Sequence, residues 1–328
     1  MSQKKTVVVT GAAGAWGTRV TAALQQQPNL RLVGIDVRPP AQPLPGVDYW
    51  QADIRDESMA DFLREVHADT VVHLAFCERS RRKEAVFDSN VLGTMHLVGS
   101  CADAGVRKVV LRSSTMAYGA QANNPMYLPE HWPLHARSRH AYVRELIDVE
   151  KFVAEFRREY PDLIITVLRL ANVVGPGVQS ALNSLMRVAV VPSLLGFDPL
   201  LQVIHVDDAV AALTHAAAAV DFDGVVNVAA DGVLPLWQIL GISGRPTVPV
   251  LHLLANPTIR VTQLVGLGRL LAAVPFDPDY LRYPWVTDNR IMTHAFGFVP
   301  VHNAEQALRG QPVSKPDTSS DSQQIAQI

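Results

Sequence analysis

The stretch 7-VVVTGAAGAWGTRV-20 decides the fold. Its β-branched start reads as a buried strand. Gly11, Gly14 and Gly17 follow at once, and the residues beyond them open a helix. Glycines at a strand-to-helix turn let the backbone approach a pyrophosphate, which the unpaired amides and positive dipole of the helix start attract. The next apolar run, 31-RLVGID-36, ends on Asp36, 19 residues beyond Gly17, where a carboxylate accepts from ribose hydroxyls. An anion there repels a 2′-phosphate, so NAD is the expected cofactor. Arg38 keeps NADP open as the alternative. Asp53 and Ile54, in 51-QADIRD-56, follow a third short strand and suit an adenine edge.

Further β-branched runs at 70–75, 108–113 and 163–170 alternate with helical patterns near 14–27, 83–104, 138–159 and 207–220. Apolar strands that alternate with helices belong in a parallel sheet covered on both faces, and right-handed crossovers make it doubly wound. The expected class is therefore α/β, a doubly wound parallel-sheet Rossmann fold with a smaller C-terminal substrate-binding part. Residues 1–175 read as the dinucleotide-binding domain, with 225-VVNVAA-230 returning to it as a strand. Residues 176–309 read mainly as the substrate-binding part, and 310–328 as a polar, disordered tail.

With 48% hydrophobic residues in 328, the chain can bury a large core. A formal net charge of -2 and no long basic block argue against nucleic acid, which needs clustered Lys and Arg. A small-molecule substrate is the expected partner. Cys77 and Cys101 are the only cysteines and lack CxxC spacing, so neither a disulfide framework nor a metal site is indicated. A reducing, cytoplasmic setting fits. The N-terminus lacks a signal-peptide pattern. The Leu- and Val-rich segment 250–274 is broken by Pro257, Arg260 and Arg269, which favours a core or interface helix over a stable membrane span.

Several motifs in chain order give the sequence a family resemblance. The segments 10-TGAAGAWG-17, 52-ADIRD-56, 71-VVHLAF-76, 90-NVLGT-94, 112-RSSTMAYG-119, 168-LRLANVVGPG-177 and 204-IHVDDAV-210 resemble those of extended or atypical short-chain dehydrogenases/reductases. The likeness is to their NAD-dependent epimerase/dehydratase group, which includes nucleotide-sugar epimerases. It implies that Leu74, Ala75 and Asn90 join the cofactor site, that Ser114 bonds the substrate oxygen, and that Asn172 touches the substrate. It also implies a homodimer through paired helices. His73 and His205 read as structural histidines at strand ends, and Asp207 and Asp208 as helix caps. The run 78-ERSRRKE-84 offers Arg79 and Arg81 to an anionic substrate or only to solvent.

In the family a Tyr-x-x-x-Lys pair shares one helix face, because side chains four residues apart are neighbours. Tyr142, in 140-HAYVRELIDVEKF-152, takes the first place as general acid/base, but Leu146 stands where the lysine belongs. A tyrosine titrates near 10, and lowering that to about 7 takes roughly 4 kcal/mol. Leu146 supplies none of it. Lys151 falls on the opposite helix face, nine residues on at about 3.6 per turn. Arg139 is better placed, one turn back, yet would have to reach around the helix start.

A second departure is Leu201, where epimerases carry a diphosphate-clamping arginine; Arg282 resembles the family's other phosphate-directed arginine. The resemblance thus implies hydride transfer at a hydroxyl of a sugar-like, possibly nucleotide-linked, substrate. A catalytically silent NAD-binding or sensing protein, and a dehydrogenase of a hydrophobic, sterol-like alcohol, are the alternatives.

Overall fold

The computed structural model describes residues 4–76, 87–135, 141–178, 180–186, 191–244, 246–250 and 278–310. Cys77, the 78–84 run, Arg139, the apolar segment past Val250 and the tail past Gly310 lie outside the described residues.

The chain begins β1 (Lys5–Thr10), α1 (Ala15–Gln25), β2 (Leu30–Asp36), β3 (Val47–Gln51), α2 (Met59–Glu65) and β4 (Ala68–His73). A π-helical turn, Asp88–Leu92, leads into α3 (Gly93–Asp103), then β5 (Lys108–Ser114), α4 (Ala141–Glu159), β6 (Ile164–Leu170) and β7 (Asn172–Val174). Next come α5 (Ala181–Met186), β8 (Val191–Leu194), β9 (Leu200–Leu201), β10 (Val203–His205), α6 (Val206–Ala218) and β11 (Gly224–Val228). β12 (Leu234–Pro235) and β13 (Thr247–Val250) pair with β9 and β8.

Seven strands form one sheet in the order β11-β6-β5-β4-β1-β2-β3, and each of its pairings is parallel. This is the doubly wound α/β architecture expected from the strand–helix rhythm. The period of two explains how it is covered. Val7, Val9, Val72 and Val110 face α1 and α6, packing on Val20, Leu24 and Leu213. Val8, Val71, Val109 and Ile165 face the other way, onto Leu63, Leu97, Val149 and Val153 of α2, α3 and α4.

The order reverses between β1 and β4, and their carboxyl ends open the crevice where such folds take ligands. A third apolar cluster joins Met116, Tyr118, Val143 and Ile147 to Leu182, Leu185, Ile239, Tyr280 and Trp285, so the later chain packs against the start of α4. No helix among the described residues is long and apolar enough to cross a membrane.

A candidate active site at the switch point of the sheet

The glycine-rich turn is tight because backbone fills the space a side chain would need. Gly11 has φ +69°, and a Cβ there would sit 2.7 Å from the Ala75 nitrogen and 2.8 Å from the Leu74 carbonyl carbon. The turns after β1 and β4 therefore touch, bringing Leu74 and Ala75 beside Gly11. A Cβ on Gly17 would lie 2.0 Å from the Gly11 carbonyl oxygen. Gly14 donates to that oxygen at 3.0 Å and is the N-cap of α1, with no side chain capping the helix. The first amides of α1 thus meet the crevice uncapped, as a pyrophosphate requires.

Asp36 is fixed beside this turn. Its Oδ2 accepts from the Ala13 amide and its Oδ1 from the Arg38 amide, both at 3.1 Å. Asp53 holds Arg55 in a two-pronged pair at 3.0 and 2.6 Å, and this hydrogen bonding keeps its carboxyl below the usual carboxylate range. Ile54 is buried against Gly93, where a Cβ would be 3.0 Å from Ile54 Cδ1, and its carbonyl accepts from His96 Nδ1 at 2.8 Å. Asn90 is buried in the π-helical turn and donates to Glu145 Oε2 on α4 at 2.7 Å.

Ser114 ends β5 and caps the following 3-10 turn, its Oγ accepting from the Met116 amide at 3.2 Å, which leaves its proton to donate. Tyr142, half-buried in the first turn of α4, packs on the cluster containing Met116, and its ring meets that of Phe76 edge-to-face with centres 5.7 Å apart. Leu146, one turn on, is only 2% exposed. The helix presents an apolar side chain where the family's lysine would be.

Behind these residues lies a buried polar chain. Arg169 Nη2 meets Glu150 Oε2 at 2.6 Å, with side chains 6% and 5% exposed. Ser113 donates to the other Glu150 oxygen. Arg169 also donates to the Tyr118 hydroxyl at 2.6 Å, and that hydroxyl donates to Asn227 Oδ1 at 2.8 Å. Burial pushes the Tyr118 phenol up to about 12, so this tyrosine stays protonated. The strand that ends in Ser114, the helix of Tyr142 and β6 are thereby tied together. Sequence reading missed this role of Arg169, although a cation inside the apolar run 163-LIITVLRL-170 signals a buried partner.

Of the two residues expected at the substrate, Asn172 on β7 donates from Nδ2 to the carbonyl of Gln202, the residue just before β10, at 2.9 Å. Arg282 stacks over Phe197 and Tyr283, 5.3 and 5.6 Å from their ring centres, and reaches Asp279 at 3.4 Å. Its buried Nε has no hydrogen-bond partner among the described residues. Tyr280 donates to the Met116 carbonyl at 2.7 Å, anchoring this segment two residues past Ser114.

The histidines divide. His73 accepts from the Thr10 hydroxyl at Nδ1 (2.7 Å) and donates from Nε2 to Thr94 Oγ1 (2.9 Å), because Thr10 Oγ1 receives the Leu74 amide and Thr94 donates to the Asn90 carbonyl. Burial, with the nearby Arg112 charge, lowers it to about 4. It is a neutral structural histidine. His205 is the N-cap of α6, taking the Asp207 amide at 3.3 Å. This corrects the expectation that Asp207 and Asp208 cap that helix. Asp208 instead turns away from it to bind the amides of Val301 and His302, each at 3.0 Å, and His302 Nδ1 at 2.8 Å. Among the described residues no cluster of His, Cys, Asp or Glu could hold a metal ion.

Sheet order, switch-point crevice and glycine cradle together define a dinucleotide-binding α/β protein. Residues 7–229 match the model of the NAD dependent epimerase/dehydratase family. The chain belongs to that family, and NAD is the cofactor that its cradle and Asp36 fit. An uncharacterized protein of Mycobacterium tuberculosis is 33% identical over 316 residues, which cover 93% of this chain and 82% of that protein. Short-chain dehydrogenase/reductase family 42E member 1 of Homo sapiens is 30% identical over 241 residues, 68% of this chain and 60% of that one.

Among solved structures, MoeE5 in complex with UDP-glucuronic acid and NAD superposes with a TM-score of 0.69 at 25% identity, covering 93% of this chain and 97% of that one. UDP-glucose-4-epimerase from Stenotrophomonas maltophila, with bound NAD and formylated UDP-arabinopyranose, has a TM-score of 0.70 at 22% identity and covers 93% and 96%, a likeness of fold.

Proposed function

We propose that this protein is an NAD-dependent oxidoreductase of the epimerase type that acts on a hydroxyl of a sugar-like substrate carrying a nucleoside diphosphate. The observation that carries the reading is Arg282. Its guanidinium is held by two rings, keeps an unbonded Nε among the described residues, and belongs to a segment tethered beside Ser114. Such a planar cation suits a phosphate oxygen pair. The likeness to MoeE5, whose solved complex holds UDP-glucuronic acid and NAD, supports the same class. Leu201 stands where the family's second diphosphate-directed arginine would be, so of those two positions only that of Arg282 carries a cation.

Bound NAD supplies a hydride acceptor. The chain's own part is acid–base work: Tyr142 takes the proton of the substrate hydroxyl while Ser114 donates to the same oxygen, and Asn172 lines the substrate side. Gly11, Gly14 and Gly17 seat the pyrophosphate, and Asp36 the ribose hydroxyls. Asp53, Ile54, Leu74, Ala75 and Asn90 complete the cofactor contacts. Exposed Phe87 and Leu92, leading into α3, support a homodimer through paired helices.

With NAD-loaded protein in a titration calorimeter, UDP is expected to bind, and Arg282→Met to weaken it about 10- to 100-fold, the span of a charged hydrogen bond of roughly 1.5–3 kcal/mol. No UDP binding, or equal binding by the variant, would overturn the nucleotide reading. Saturable binding of apolar alcohols instead would favour the sterol-like substrate.

Leu146 favours a second reading, a silent NAD-binding protein. Leu146→Lys separates the two. In a working site the lysine holds the nicotinamide ribose and eases proton loss from Tyr142, so hydride transfer is expected to rise tenfold or more, with the pH–rate profile moved to lower pH. Tyr142→Phe should abolish the gain. A folded, NAD-binding Leu146→Lys protein that stays inert would leave the binding role standing.

A further inference from the structure

The turn Gly175-Pro176-Gly177 leaves β7 two residues after Val173 and has almost no side chains of its own to fix it. Gly175 and Gly177 have φ of +124° and +72°, conformations that side-chain-bearing residues rarely adopt. The turn is held from outside on two sides. A Cβ on Gly175 would lie 2.8 Å from Val206 Cγ1 and 3.1 Å from His205 Nε2, at the start of α6. On the other side Arg19 donates from Nη2 to the Pro176 carbonyl at 2.6 Å. The same Nη2 would be 2.7 Å from a Cβ on Gly177, so the guanidinium lies directly over the turn's backbone.

Arg19 belongs to α1, two residues past Gly17, on the helix whose uncapped start forms the cofactor cradle. One short, charge-assisted bond therefore connects the cofactor helix to the turn that follows Asn172. We propose that Arg19 is a positioning residue that couples dinucleotide binding at α1 to the order of the 175–177 turn, and through β7 to Asn172 on the substrate side. Segments with few packed side chains open most readily, so an added anchor has its greatest effect there. Coupling of this kind is reciprocal: a turn that NAD orders also helps to hold NAD.

Hydrogen exchange by mass spectrometry on the full chain, with and without NAD, tests this without any substrate. In the wild type NAD is expected to slow exchange at least fivefold in peptides over 11–17 and over 173–178. Arg19→Met, compared at equal NAD saturation, should keep the slowing at 11–17 and lose most of it at 173–178, with NAD bound several-fold more weakly. Arg19→Lys should recover part of the effect, because one donor remains. Gly177→Ala should reproduce the loss from the other partner, and adding it to Arg19→Met should change little more. Full slowing at 173–178 in Arg19→Met, or none there in the wild type, would overturn the proposal. A general loss of stability would raise exchange everywhere and leave the NAD-dependent difference at 173–178 intact, which also counts against it.

Discussion

Arg169→Met is expected to be the most destabilising single change in the core. Glu150 would keep its negative charge at 5% exposure with its counter-ion gone. Removing one partner of a buried ion pair costs about 3–5 kcal/mol, since the remaining charge is left uncompensated. At about 2–4 °C per kcal/mol for large domains, the melting temperature should fall by roughly 6–20 °C. Glu150→Gln should act similarly, leaving the Arg169 cation without its carboxylate. In Arg169→Met the Tyr118 hydroxyl also loses a donor, and in Glu150→Gln the Ser113 hydroxyl faces a neutral amide in place of a charged acceptor. The double variant should cost less than the two single losses added, because no naked charge remains. Urea unfolding of all four proteins decides it, and a loss under about 1 kcal/mol for Arg169→Met would contradict the buried pair.

Gly17→Ala is the second large effect, and here the loss is of cofactor. The added methyl would meet the Gly11 oxygen at 2.0 Å, the Ala12 Cα at 2.6 Å and the Gly11 carbonyl carbon at 2.7 Å. All three are backbone, so no flexible side chain can yield, and the phosphate turn itself must move. Overpacking of this kind costs about 1–3 kcal/mol, which in NAD affinity is roughly 5- to 150-fold. Gly99→Ala is the control. Gly99 lies inside α3 with nothing within 4 Å of a Cβ, so alanine there should leave NAD binding alone and raise stability by roughly 0.5–1 kcal/mol. NAD titration of both variants checks the contrast, and equal affinities would mean that the turn is not the cradle.

The two effects bear on Leu146. The helix that carries Tyr142 is held by Glu150, Glu145 and the apolar residues around them, and no part of that framework uses a lysine at 146. The fold could therefore lose the lysine without losing the placement of Ser114 and Tyr142. This is why restoring it by substitution is a fair test of the chemistry.

Much of the fold was legible because its causes are local. The alternation of Val7, Val8 and Val9 between two covered faces, the spacing of Gly11, Gly14 and Gly17 before a helix, and Asp36 at a strand end follow from the period of a strand and from the room a glycine leaves. The helical period likewise sets Tyr142 and Leu146 on one face. What the tertiary structure alone decided are pairings between residues far apart in the chain. Asp208 sits where a cap is expected, yet its carboxylate binds residues 301 and 302, and His205 takes the cap instead. Arg169 finds Glu150, Tyr280 finds the Met116 carbonyl, and Arg19 finds Pro176. A charge in an apolar run announces that a partner must exist, but which partner depends on which strands and helices cross there. Chain topology settles that, and no local pattern records it.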